Sequence, residues 1–181
     1  MSIAIRTAAA PAVDLERGGA PVAAHPDPAG ELRRALAAMA TSVTLVTTLH
    51  EGVPYGFTAN SFTSVSVSPP LVAVFLAETA ECYAAFRSAD RVAVNILAEG
   101  QDTAARRFST KGGDKFADVE LASLPGEPPV IAAAMAVVKG RVSGRWDAGD
   151  HLMLMIEVDG VRRSTRPPLV YQGREFRTLA R

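Results

Sequence analysis

From Ser42 onward the chain is a succession of short β-branched runs broken by turn residues, and that texture restricts the fold more than any other feature. Eight such runs can be read: SVTLVTTL, VPYGFTA, SFTSVSV, LVAVFL, VAVNIL, AVVKGRVSGRW, HLMLMIEVDGV and PLVYQGREFRTL. Val, Ile, Thr and aromatic side chains suit a pleated, half-buried surface, and the Gly, Pro and Asp residues between runs are turn formers. Only two helical segments fall among them, ECYAAFRSA at residues 81–89 and QDTAARRF at residues 101–108. Two helices are too few for the strand and helix alternation of a parallel sheet. The prediction is a mainly β protein, an antiparallel barrel with peripheral helices.

Ahead of the strands, residues 1–28 are rich in Ala, Pro and Gly with no period of 2 or 3.6. Such a segment buries too little apolar surface to offset its ordering entropy, so residues 1–28 are expected to form a flexible tail and residues 29–181 a single domain. Asp27-Pro28 marks a helix start, an Asp cap followed by Pro at the first helical position. In AGELRRALAAMA, Leu32, Ala35, Leu36 and Met39 share one face while Arg33 and Arg34 point away from it.

Charge and motif content exclude several classes. Nineteen basic and 19 acidic residues balance, which gives no electrostatic handle for nucleic acid or an anionic membrane. The longest apolar runs, LVAVFLA and VIAAAMAVV, fall well short of the roughly 20 residues that span a bilayer. The N-terminus lacks a sustained apolar stretch and so does not read as a secretion signal. Cys82 is the single cysteine, which rules out an intrachain disulfide or a multi-cysteine metal site and suits a reducing cytoplasm. Neither GxGxxG, GxxxxGK[ST] nor GxSxG occurs, and His25, His50 and His151 are scattered; no metal site and no hydrolase triad are expected.

One segment invites a chemical reading. YGFTANSFTSVSVSPPLV, residues 55–72, sets Thr58, Asn60, Ser61, Thr63, Ser64, Ser66 and Ser68 in a row with no charge among them. From the residues alone two readings stand: an exposed hairpin, or one wall of a site for a large, planar, polar ring carrying a phosphate. Arg107 is in the same position, either a phosphate partner, since guanidinium matches phosphate oxygens bidentately, or a solvated arginine beside Arg106. His151 stands at a turn before an apolar strand, a structural histidine or a reactive one. Lys115 and Phe116 follow Gly112 and Gly113, in a surface loop or in one that folds over a ligand.

Taken together, SVTLVTT, GVPYGFTANSFTSVSVSPPLVAVFL, RVAVNILAEGQ, RRFSTKGGDKF, the GDH at residues 149–151 and PPLVYQGREF keep an order and spacing that resembles the flavin reductase family. Its members are the reductase components of two-component flavin monooxygenases. The resemblance runs from Ala40 to Arg177 and implies a split β-barrel, a homodimer, and a flavin near the subunit interface. By the same resemblance Thr58, Ala59, Asn60 and Ser61 line the flavin ring, and Ser64 and Ser66 belong to the same lobe. Phe75, Leu76 and Ala77 pass the ribityl and phosphate part, Arg107 and Phe108 close on it, and Lys115 lies in the covering loop. His151 is the implied catalytic residue, placing NADH or offering a proton, with Tyr171 and Arg174 on the nicotinamide side or closing the barrel.

One departure stands out. Many relatives carry two hydroxyl residues where this chain has Ala80 and Cys82. Either Thr79 and the N–H groups opening the helix at residues 81–89 supply the phosphate donors, or phosphate contact is weaker here. The implied activity is transfer of a hydride from NADH, or NADPH, to FAD or FMN, with FAD and NADH favoured. Reduced flavin then passes to a separate monooxygenase in secondary metabolism. The alternatives are a flavin storage module on the same barrel, a purely structural barrel, and a pyridoxamine-phosphate-oxidase-like activity.

Overall fold

The computed structural model describes residues 24–179. In chain order the elements are α1 (Pro28–Ala38), β1 (Thr41–Ser42), β2 (Thr44–His50), β3 (Val53–Ala59), β4 (Thr63–Val67) and β5 (Pro70–Ala77). They continue with α2 (Tyr83–Ser88), β6 (Arg91–Ile96), α3 (Asp102–Ser109), β7 (Ala136–Ala148), β8 (His151–Arg163), β9 (Val170–Gln172) and β10 (Glu175–Arg177). The expectation of a tail at residues 1–28 falls largely on residues 1–23, outside the described residues.

Among the described residues, ten strands replace the eight runs because two runs divide. Val43 is buried and leaves the first run to bond elsewhere: its N–H donates to Leu169 O and its carbonyl accepts from Leu97 N. The last run folds back on itself at Gly173 and Arg174, both with positive φ, so β9 and β10 make a small hairpin. β1, β9 and β10 form a three-stranded sheet; the other seven strands form a sheet in the order β3-β2-β6-β7-β8-β5-β4, with every pairing antiparallel. Glu51 and Gly52 both take positive φ at the β2–β3 turn, the geometry that matches the twist of a two-residue hairpin.

β3 is one edge of the large sheet and β5 lies next to the other, yet the two are in contact. The sheet therefore curls into a barrel whose two ends converge, as the antiparallel pattern predicts. Its interior is written in period 2: Leu152, Leu154 and Ile156 of β8 are fully buried while Met153 and Met155 between them are half-buried. These residues pack with Val46, Val74, Val92, Val94 and Phe86 into the main core. Phe86 is brought there by α2 and meets Phe57 edge-on at a centroid distance of 4.9 Å. A second cluster, with Leu45, Leu97, Ala105, Phe108, Ile131 and Leu169, fills the space between β2, α3 and the small sheet. Buried Asn95 pins this second cluster, donating to Leu45 O at 3.0 Å and accepting from Ile131 N at 2.9 Å.

The first helix forms as read: Asp27 caps it, accepting from Gly30 N at 2.9 Å, and Pro28 occupies its first turn. Its apolar face, however, buries nothing. Leu32, Leu36 and Met39 are 58%, 52% and 55% exposed, and the helix is tied to β9 through Gly173 N to Ala37 O and Gln172 Nε2 to Ala38 O.

Candidate functional site

Where the curled ends converge there is a cavity of about 760 Å³, within the roughly 300–1,000 Å³ usual for small-molecule and cofactor sites. Four segments enclose it: β3 with the bend after it, the end of β5 with the turn into α2, the C-terminal end of α3 with the loop that follows, and the start of β8.

Local chemistry fixes these segments against one another. Ser61 Oγ donates to Phe75 O at 3.3 Å, joining the bend after β3 to β5. Thr58 Oγ1 donates to Ala105 O at 2.6 Å, joining β3 to α3. Gly56 lies directly under Phe108; a Cβ there would stand 2.8 Å from the ring, so glycine is what lets α3 approach the strand. Phe108 in turn meets Phe116 edge-on at 4.9 Å, and that contact anchors the far end of the loop beside the cavity. Within the loop Gly112 and Gly113 take φ of 74° and 71°, a turn that non-glycine residues rarely adopt. Lys115 Nζ donates to Thr110 O, and Gly112 N donates to both carboxylate oxygens of Glu81, at 2.9 and 3.1 Å.

The polar groups differ in how free they are. Asn60 is exposed at the mouth, and its side chain makes no hydrogen bond among the described residues. Thr58 has spent its hydroxyl proton on Ala105 and can only accept from a ligand. Cys82 lines the cavity floor, and burial pushes its thiol from 9.0 up to about 11, so it is a neutral, packed side chain at physiological pH. His151 is half-exposed, paired with Ala77 in the β5–β8 register, and its Nδ1 lies 2.6 Å from Asp150 Oδ1. That hydrogen bond holds the Asp150 carboxyl below its ordinary range and orients the imidazole, leaving Nε2 uncommitted.

Of the residues singled out from sequence, Thr58, Ala59, Asn60, Ser61, Phe75, Leu76, Ala77, Phe108, Lys115 and His151 are brought together around this cavity. Ser64, Ser66, Arg107 and Tyr171 are not. Ser64 and Ser66 lie on edge strand β4, separated by a bulge and beyond the bend that carries Ser61 into the site. Arg107 follows the helix a further step round from buried Phe108's face and points to Asp118, 3.6 Å away, beside a smaller pocket with Gln101 and Ala104. Tyr171 packs on Phe176 at 5.4 Å against the second core cluster, and Arg174 occupies the β9–β10 turn. The helix expected from residue 81 starts at Tyr83, and the turn before it presents Thr79 and Glu81 to the cavity. Sequence reasoning passed over Tyr55, Thr110, Lys111 and Glu81, which also line it. For Glu81 the only signal was a charge between Ala80 and Cys82. No group of His, Cys, Asp or Glu among the described residues could hold a metal ion, and no described helix is long and apolar enough to cross a membrane.

A curled antiparallel sheet with a cofactor-sized cavity at its converging ends, lined by Phe rings, small polar residues and a few charged ones, defines a β-barrel protein with a small-molecule site. Residues 36–180 match the family model described as flavin reductase like domain, and the chain belongs to that family. It is 43% identical over 153 residues to the actinorhodin polyketide dimerase of Streptomyces coelicolor, covering 83% of this chain and 86% of that protein. It is 38% identical over 146 residues to the reductase component of the 4-nitrophenol 4-monooxygenase/4-nitrocatechol 2-monooxygenase of Rhodococcus opacus, covering 81% and 78%. Among solved structures, the Streptomyces globisporus C-1027 NADH:FAD oxidoreductase SgcE6 in complex with NAD and FAD fragments superposes with a TM-score of 0.79 at 35% identity. That match spans 87% of this chain and 96% of that one.

Proposed function

We propose that the protein is a flavin reductase: the cavity takes FAD or FMN, NADH reduces it there, and reduced flavin is handed to a separate monooxygenase. The observation that carries this is the meeting of Thr58, Asn60, Ser61, Phe75, Phe108 and His151, drawn from four separate segments, around one cavity of cofactor size. Likeness to a named NADH:FAD oxidoreductase and to a named monooxygenase reductase component supports the activity. Likeness to the Streptomyces proteins supports a place in secondary metabolism.

The residues present fit a flavin. Asn60, with a free amide, and the backbone of Ala59 and Ser61 are placed for the polar edge of the ring; Phe75, Leu76 and Phe108 form apolar walls that exclude water. Thr79, Lys111 and Lys115 are the donors available to a phosphate, in place of hydroxyls at Ala80 and Cys82. When bound, the flavin supplies the hydride-accepting ring, so the protein needs to align and shield the reactants and needs no acid–base pair of its own. His151, its ring held through Nδ1 by Asp150, keeps Nε2 free to position NADH or hold a proton at the cavity. Ser64, Ser66, Arg107 and Tyr171 lie outside this cavity.

The working form is a homodimer in which a second copy covers the apolar face of α1 and the exposed Val65 and Val67 of edge strand β4. A cytoplasmic site accords with a single cysteine kept as a thiol. The binding part of the reading is tested by titrating protein into FMN, FAD and riboflavin while following flavin fluorescence. A saturable change is expected with each, and no change with any of them overturns the assignment.

A further inference from the structure

The end of the cavity that faces α2 holds an arrangement not required by flavin binding. Glu81 stands in the turn before α2, on the cavity lining, and both oxygens of its carboxylate accept from Gly112 N, at 3.1 and 2.9 Å. Gly112 and Gly113 lie next to one another with positive φ, in a tight turn that leaves the Gly112 N–H facing the carboxylate. Lys111 and Lys115 line the cavity on the same loop, and Glu81 and Cys82 line it from the turn before α2. The loop thus brings two cations, Lys111 and Lys115, and one carboxylate, Asp114, to the cavity, and its Gly112 N–H is already taken by the Glu81 carboxylate.

We infer that Glu81 is an internal anion that competes with the flavin phosphate for the Gly112 N–H, lowering affinity for phosphate-bearing flavins while leaving the ring's contacts untouched. This rests on reading the cavity as the flavin site. A phosphate entering the loop must either displace the carboxylate or settle beside it, and a like charge at that range opposes it in both cases. Ring recognition by Asn60 and the Phe walls is independent of this opposition. The consequence is a protein that still selects a flavin yet lets it go, as a diffusible-product reductase requires.

Glu81→Gln isolates the effect, because the amide oxygen can still accept from Gly112 N while the charge is gone. Dissociation constants for FMN, FAD and riboflavin would be measured by fluorescence titration for the wild type and the variant. Removal of one partly screened like charge is expected to tighten FMN and FAD about three- to ten-fold and to leave riboflavin, which has no phosphate, unchanged. Slower loss of FMN from the variant on gel filtration is the matching kinetic result. FMN binding that is unchanged or weakened, or riboflavin tightening in parallel with FMN, overturns the inference while leaving the flavin site intact. Failure of the wild type to bind any of the three flavins overturns the site itself.

Discussion

Cys82 shows how little a residue type says before its surroundings are known. As the single cysteine, next to Glu81 and inside the cavity, it occupies the place of an expected hydroxyl, but it is buried with its thiol raised from 9.0 to about 11. It should therefore react slowly with iodoacetamide at pH 8 in the native protein and rapidly once unfolded; equal rates would contradict the packed thiol. The pH dependence has a fixed sign. Between 9.0 and about 11 the unfolded chain has lost the thiol proton and the folded one keeps it, so this contribution is whole below pH 9.0 and fades as pH rises through about 11. Cys82→Ala should flatten that fall in urea-unfolding free energy across the same window. Asp150, fully exposed, works in the opposite direction, with its pairing to His151 lost as acid is added below the ordinary carboxylate range. At this scale the sequence disclosed which hydroxyls exist but not which protons are free: Thr58 donates to Ala105, and only the folded geometry shows that Asn60 keeps its amide for a ligand.

Among the elements, strand content was legible because β-branched alternation and turn residues act locally, and every predicted run contains at least one strand. The division at Val43 escaped because it is decided by partners far along the chain, Leu97 and Leu169, whereas the one at Gly173 is a local turn, with positive φ at Gly173 and Arg174, inside a run read straight through. Arg107 lies outside the cavity for a helical reason: neighbouring positions point about 100° apart, and Phe108 holds the inward one. Docking of α3 depends on Gly56. Gly56→Ala would push a methyl to 2.8 Å from the Phe108 ring, which must move with the loop that Phe116 anchors. The expected cost is about 1–3 kcal/mol, read as a lower midpoint in urea, together with weaker flavin binding. An unchanged midpoint and unchanged binding would show that α3 tolerates displacement.

For the molecule as a whole, the barrel could be anticipated from strand count and spacing, but the site could not be assembled from any one segment. His151 and Ala77 are neighbours only because β8 pairs with β5, and Ser61 reaches Phe75 by the antiparallel register of β4 with β5, in which Thr63 faces Ala73. It was the ordered set of motifs, held in common with a family, that pointed to these residues together. The apolar face of α1 belongs to this scale too, since a helix that buries none of its own leucines needs a second surface. Leu32→Glu with Leu36→Glu should convert a dimer to a monomer in sedimentation equilibrium; a wild type already monomeric, or a double variant still dimeric, rules out α1 as the contact.

The central claim is that this cavity transfers a hydride from NADH to a flavin. It is tested most directly by following NADH oxidation with FMN, FAD or riboflavin added, in the wild type and in His151→Ala. Oxidation that depends on flavin is expected in the wild type, and a raised KM for NADH or a reduced kcat in the variant while flavin affinity holds. Flavin binding without flavin-dependent oxidation of NADH or NADPH would contradict it and leave a flavin-storage protein.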